Sequence, residues 1–135
     1  MQTVDHGQAG RPEAGDELLV TFAGVPDPAA ILAAWSGSAT PVTVHFEGIG
    51  DDVITVLDAS TGATLAELGS IQANRDYTSG SADFTGSQMT LAGTTITIVL
   101  GTPSGPIGRD PSAKALVWTT PHGSATESGH PDSDF

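Results

Sequence analysis

The chain has 135 residues, no cysteine, and 16 acidic residues against 4 Lys+Arg, for a formal net charge of -12. That length suits one domain, and the absent cysteines exclude a disulfide framework and a thiolate metal site. The cations Arg11, Arg75, Arg109 and Lys114 stand singly, which excludes the clustered positive surface that nucleic acid or an anionic membrane requires.

Residues 1–15 are polar and glycine-rich without apolar periodicity, and are expected to be a flexible tail. They contain no basic region followed by an apolar one, so a signal peptide is not expected within them. No apolar run approaches a membrane span of about 20 residues, so membrane insertion is not expected. The chain acts where it is made, leaves by lysis or a dedicated route, or is a domain cut from a longer exported chain.

The folded body is expected over residues 16–120. Its first strand is Glu17 to Phe22, with Leu18, Val20 and Phe22 facing inward. Asp27 is a good helix N-cap and Pro28 suits the first helical position. Ile31 and Trp35, four apart, would share one side of the short helical turn that comes next. Val42, Val44 and Phe46 alternate with Thr43 and His45 in the next strand, and Val53 to Leu57 form another. Ala63 to Leu68 read as a short strand or edge, and Ile71 marks a weak strand.

The strongest strand signal is Thr94 to Leu100, TTITIVL, which is β-branched except for Leu100. Ile96, Ile98 and Leu100 point one way. A glycine-containing turn at Ala92-Gly93 joins this run to Ser87–Leu91, a hairpin signal. Phe84 is out of phase with Met89 and Leu91, so a bulge is expected at Gly86. Ala115 to Thr119 form the last strand, with Leu116 and Trp118 inward. Residues 121–135 read as a second flexible, acidic tail. Seven or eight short strands with one short helical turn predict an all-β fold, an antiparallel β-sandwich.

Residues 15–32, GDELLVTFAGVPDPAAIL, resemble the opening of bacterial Ig-like domains of the S-layer-protein type. Residues 84–102, FTGSQMTLAGTTITIVLGT, with 115–121, ALVWTTP, are similar to the closing strands of related domains in exported actinobacterial surface proteins. The resemblance implies an Ig-like sandwich and a non-catalytic module of a surface or structural assembly. Ala23-Gly24 stand where that family carries Ser-Glu, so no carboxylate role carries over to that point. A short, acidic all-β chain is also analogous to a phage accessory or decoration protein.

Catalytic patterns are weak. His6, His122 and His130 lie in the tails, and His45 alternates away from the core, so a Ser-His-Asp site has no fixed histidine. Neither G-x-S-x-G nor H-E-x-x-H occurs. Calcium is the better chemical candidate, because Asp51, Asp52, Asp58 and Asp76 fall in loops and hard cations take several oxygens. The alternative is that these aspartates bond their own turns. Trp35 and Trp118 would offer a sugar platform if exposed, although the alternation places Trp118 inward. Phe135, the last large apolar side chain, is a candidate anchor to a neighbouring subunit.

The expected function is a non-enzymatic structural or protein-interaction module of a surface or virion assembly. Its partners would be proteins, or further copies of itself in a homo-oligomer or lattice, with no nucleic acid. Trp35 and Phe135 are the candidate interaction residues. The alternative is a small carbohydrate-binding module. Apart from the calcium candidates, no cofactor is expected.

Overall fold

The computed structural model describes residues 1–112, 114–121 and 135, together with the backbone of 125–127. In chain order the elements are β1 (Gln2–Val4), β2 (Glu17–Thr21), α1 (Pro28–Ile31), β3 (Thr40–Glu47) and β4 (Val53–Asp58). A 3-10 turn at Ala66–Leu68 comes next. The remaining strands are β5 (Ser70–Gln72), β6 (Ser81–Ala92), β7 (Thr95–Val99), β8 (Thr102–Pro103), β9 (Val117–Thr119) and β10 (Ala125–Glu127).

The fold is all-β, and every described strand pairing is antiparallel. The strands do not divide into the two stacked sheets of a sandwich. They form one sheet of ten strands in the order β1-β2-β7-β6-β3-β4-β5-β9-β10, with β8 beside β6. A sheet with one apolar face must cover that face. Here the right-handed strand twist accumulates into a curl, a half-barrel that closes over its own concave side.

The registers explain why that side is apolar. Ala82, Phe46, Ile54, Ile71 and Trp118 are successive cross-strand partners from β6 to β9. All five are buried. A second row runs Leu18, Ile98, Met89 across β2, β7 and β6. Burying each large side chain contributes roughly 1.5–3 kcal/mol.

The strand β6 is the spine, long enough to pair with β3 on one edge and with β7 and then β8 on the other. Its parity change is the expected bulge. Val44 faces Phe84 while Val42 faces Ser87, so β6 carries one extra residue there. Gly86 supplies the required positive φ of 71°. Buried Ser87 closes the bulge by donating to Phe84 O at 2.8 Å and accepting from Gly101 N at 2.9 Å.

Several expectations are corrected. Residues 1–15 are not merely a tail: β1 pairs with β2, and Met1 and Thr3 are buried. This segment is tied down by Asp16, whose carboxylate accepts His6 N at 2.8 Å and Glu13 N at 2.7 Å. In 121–135, β10 pairs with β9 and Phe135 is buried; residues 122–124 and 128–134, with His122 and His130, lie outside the described residues. The segment Ala63–Leu68 is no strand. It makes one bridge, Leu57 to Thr64, and then the 3-10 turn.

Candidate functional site

A cleft opens where the two arms of the curl meet. On one side β2 ends, and Phe22 N donates to Thr94 O at 2.9 Å, which holds the chain as it leaves the sheet. Pro26 and Pro28 then bracket Asp27. Asp27 Oδ1 accepts Ala29 N at 3.0 Å, and Pro28 at the first helical position starts α1. The helix is a single turn, closed by Leu32 N donating to Pro28 O at 3.0 Å. Its Ile31 is buried, and the helix rests against the 3-10 turn.

The opposite side is built by β9 together with Thr120 and Pro121. Trp118 is held by its indole N–H, which donates to Leu68 O at 2.8 Å. The 3-10 turn can approach β9 this closely because residue 69 is glycine. A Cβ there would collide with Thr119 O, and the backbone has a φ of 69°. Phe22 meets Trp118 edge to face, with ring centroids 5.3 Å apart and planes at 84°. That pair joins the arms, and around it is a cleft of about 700 Å³. Thr21, Phe22, Ala23, Pro26, Ala30 and Ile31 line one side, and Trp118, Thr120 and Pro121 line the other.

Two carboxylates, Asp27 and Glu67, complete the lining, and none of Arg11, Arg75, Arg109 or Lys114 reaches it. Both are exposed. Asp27 is partly engaged as the helix cap, whereas Glu67 makes no hydrogen bond or ion pair among the described residues. Val25, which precedes Pro26 in the chain, is 73 % exposed.

The candidate interaction residues lie elsewhere. Trp35 is 6 % exposed and its indole N–H donates to Ser38 O at 2.6 Å, so it is a core residue rather than a sugar platform. Trp118, 4 % exposed, faces inward as its alternation predicts. Phe135 is an anchor, but to its own chain. It is fully buried against Tyr77, with centroids 6.4 Å apart, and its main-chain O accepts Arg75 Nη1 at 2.7 Å. Arg75 also donates to Tyr77 Oη at 3.0 Å, and burial pushes the Tyr77 phenol up to about 12.

The four candidate calcium ligands do not converge. Asp52 is buried, and its carboxylate accepts Tyr77 N at 2.7 Å, Thr78 N at 3.0 Å and Thr78 Oγ1 at 2.8 Å. Asp58 bonds Ser60 and Thr61 in its own turn, which holds its carboxyl below the ordinary value. Asp51 lies 3.5 Å from Lys114 Nζ, and Asp76 is exposed. Among the described residues, no group of three or more His, Asp or Glu side chains is placed to hold a metal ion.

His45 is half-buried on the outer face of β3. Its Nδ1 lies 2.5 Å from Asp83 Oδ1 on β6, directly across the strand pair, and its Nε2 lies 3.6 Å from Glu47. His6 lies 3.4 Å from Glu17. No described helix is long and apolar enough to cross a membrane.

Sequence reasoning placed Phe22 and Trp118 inward and Ile31 on one side of the short helical turn. It missed that they leave an open cleft among them. The available signal was the proline-bracketed turn after β2 and Pro121 after β9, two places where a strand ends beside an aromatic residue.

No protein-family model, curated protein or solved structure matches this chain.

Proposed function

We propose that the chain is a non-enzymatic protein-interaction module that receives an apolar segment of a partner in the cleft between β2, α1 and β9. One observation carries the reading: apolar side chains from both arms line an open volume of about 700 Å³ around the Phe22–Trp118 contact. Water against Phe22, Ala30, Ile31 and Pro121 is released when an apolar group enters, and that release favours binding. The size is that of a ligand pocket, and the walls are positioned before any ligand arrives.

Selection of displayed random peptides against the folded protein tests this. Ala30 is exposed and lines the cleft, so Ala30→Trp would fill it without disturbing the core. Selected peptides are expected to bind the natural protein and to lose affinity at least ten-fold against Ala30→Trp. Peptides that bind both proteins equally would place the interaction surface elsewhere.

A further inference from the structure

We infer that the partner segment carries basic side chains beside its apolar anchor. This rests on the cleft being the docking site, and it specifies the occupant. The cleft is apolar along its walls, yet every charged residue lining it is a carboxylate, Asp27 or Glu67. The chain as a whole carries a net charge of -12, and none of its four cations lines the cleft. Glu67 has no partner among the described residues. An apolar group inserted between Phe22, Ala30 and Pro121 brings its flanking residues to that rim. Arginine or lysine there gains attraction from Asp27 and Glu67, while aspartate or glutamate meets repulsion.

The same charges argue against a second copy as the occupant. The one fully exposed large apolar side chain among the described residues is Ile49, 100 % exposed in the turn between β3 and β4. Glu47, at the end of β3 before that turn, pairs with Ser81 at one end of β6, whereas Thr21, on the β2 wall of the cleft, pairs with Thr95, the partner of Ala92 at the other end. Ile49 is the exposed side chain that a neighbour's cleft would take in an array of copies. It is flanked by Glu47 and exposed Asp51, however, and insertion would press these carboxylates against Asp27 and Glu67. The acidic rim selects a basic partner and disfavours self-stacking.

The test uses three synthetic peptides with one shared Phe-Leu-Phe core, flanked on each side by two arginines, two serines or two glutamates. Each is titrated into the whole isotope-labelled protein at low salt and followed by amide and indole NMR signals. The arginine-flanked peptide is expected to shift the signals of Phe22, Ala30 and Trp118. It should bind roughly five-fold or more tightly than the glutamate-flanked one, a preference of the size that exposed ion pairs give. The preference should shrink at high salt, which screens exposed charges. It should also shrink in Glu67→Gln and in Asp27→Asn, where asparagine retains the helix cap. Equal affinity for all three peptides at the same residues would overturn the basic partner while leaving the docking site standing. If no peptide perturbs those residues, both fall. A dimer in sedimentation that Ala30→Trp abolishes would make a second copy the occupant and overturn the inference.

Discussion

Phe22 and Trp118 lie 96 residues apart in sequence and stand near opposite edges of the sheet, yet their rings meet at 5.3 Å and 84°. Among the described residues no strand pairing joins the two ends of the sheet, and this edge-to-face contact bridges them, as does α1 against the 3-10 turn. Aromatic pairs of this geometry contribute about 0.5–1.5 kcal/mol beyond the area they bury. In a double-mutant cycle with Phe22→Leu and Trp118→Leu, the coupling energy is expected to be about 1 kcal/mol. Trp118→Leu alone should cost about 2–4 kcal/mol, because Trp118 is buried. Strictly additive losses in urea unfolding would mean that the contact closes nothing.

Ile98 sits in the middle of β7, with Leu18 and Met89 as its partners on either side. Ile98→Asp places an unpaired carboxylate in the core and is expected to abolish folding, whereas Ile98→Val should cost about 1 kcal/mol. Circular dichroism checks both. A cooperative melt retained in Ile98→Asp would mean that the concave face is not the core.

Asp52 acts as a structural knot. Its carboxylate binds two main-chain N–H groups and a hydroxyl from Tyr77 and Thr78. Its own N–H donates to Arg75 O at 2.7 Å. Asp52→Ala strands those buried donors and should cost about 3 kcal/mol or more, with Asp52→Asn in between. Because its oxygens are engaged inward, millimolar calcium should raise Tm by less than about 5 °C, roughly 1 kcal/mol at this size. A larger rise would establish a calcium site in these loops.

Acid titration should separate two aspartates. Burial raises the Asp16 carboxyl above the ordinary 3.8, against the two main-chain N–H groups that favour its ionised form. Its contribution to stability is therefore fully present below 3.8 and is lost as pH rises through the folded value. Asp58 behaves oppositely, since Ser60 N–H and the hydroxyls of Thr61 and Ser60 favour its ionised form. Its contribution is present above 3.8 and is lost as pH falls through its lowered folded value. Carboxyl carbon shifts followed by NMR should show the Asp16 midpoint above 3.8 and the Asp58 midpoint below it. The reverse order would contradict the burial of Asp16.

Much of the fold was legible because its signals are local. The alternation of Leu18 and Val20, the β-branched run at β7, the Asp27-Pro28 helix start and the parity change at Gly86 all depend on neighbours in sequence. The features that stayed hidden depend on distant partners. Strand β1 is three residues long and exists because β2 pairs with it and Asp16 caps its exit. Strand alternation reports which face is apolar, not which strand lies alongside, so two stacked sheets and one curled sheet give similar patterns. Phe135 is large and isolated in sequence, which suggested an anchor to a neighbour, and Trp35, four residues from Ile31, was open to either an exposed or a core reading. In the fold Ser38 and Arg75 supply their polar contacts and the core covers their rings. The cleft itself is a gap between residues that each look like core, and a gap leaves no periodic trace.

We propose above that a partner's apolar segment sits against Phe22 and Trp118. Intermolecular nuclear Overhauser contacts in a complex with a display-selected peptide test it most directly. Contacts are expected from the peptide's apolar protons to the rings of Phe22 and Trp118 and to the Ala30 methyl. Contacts confined to another surface, such as the Ile49 turn or the outer face around His45, would contradict it.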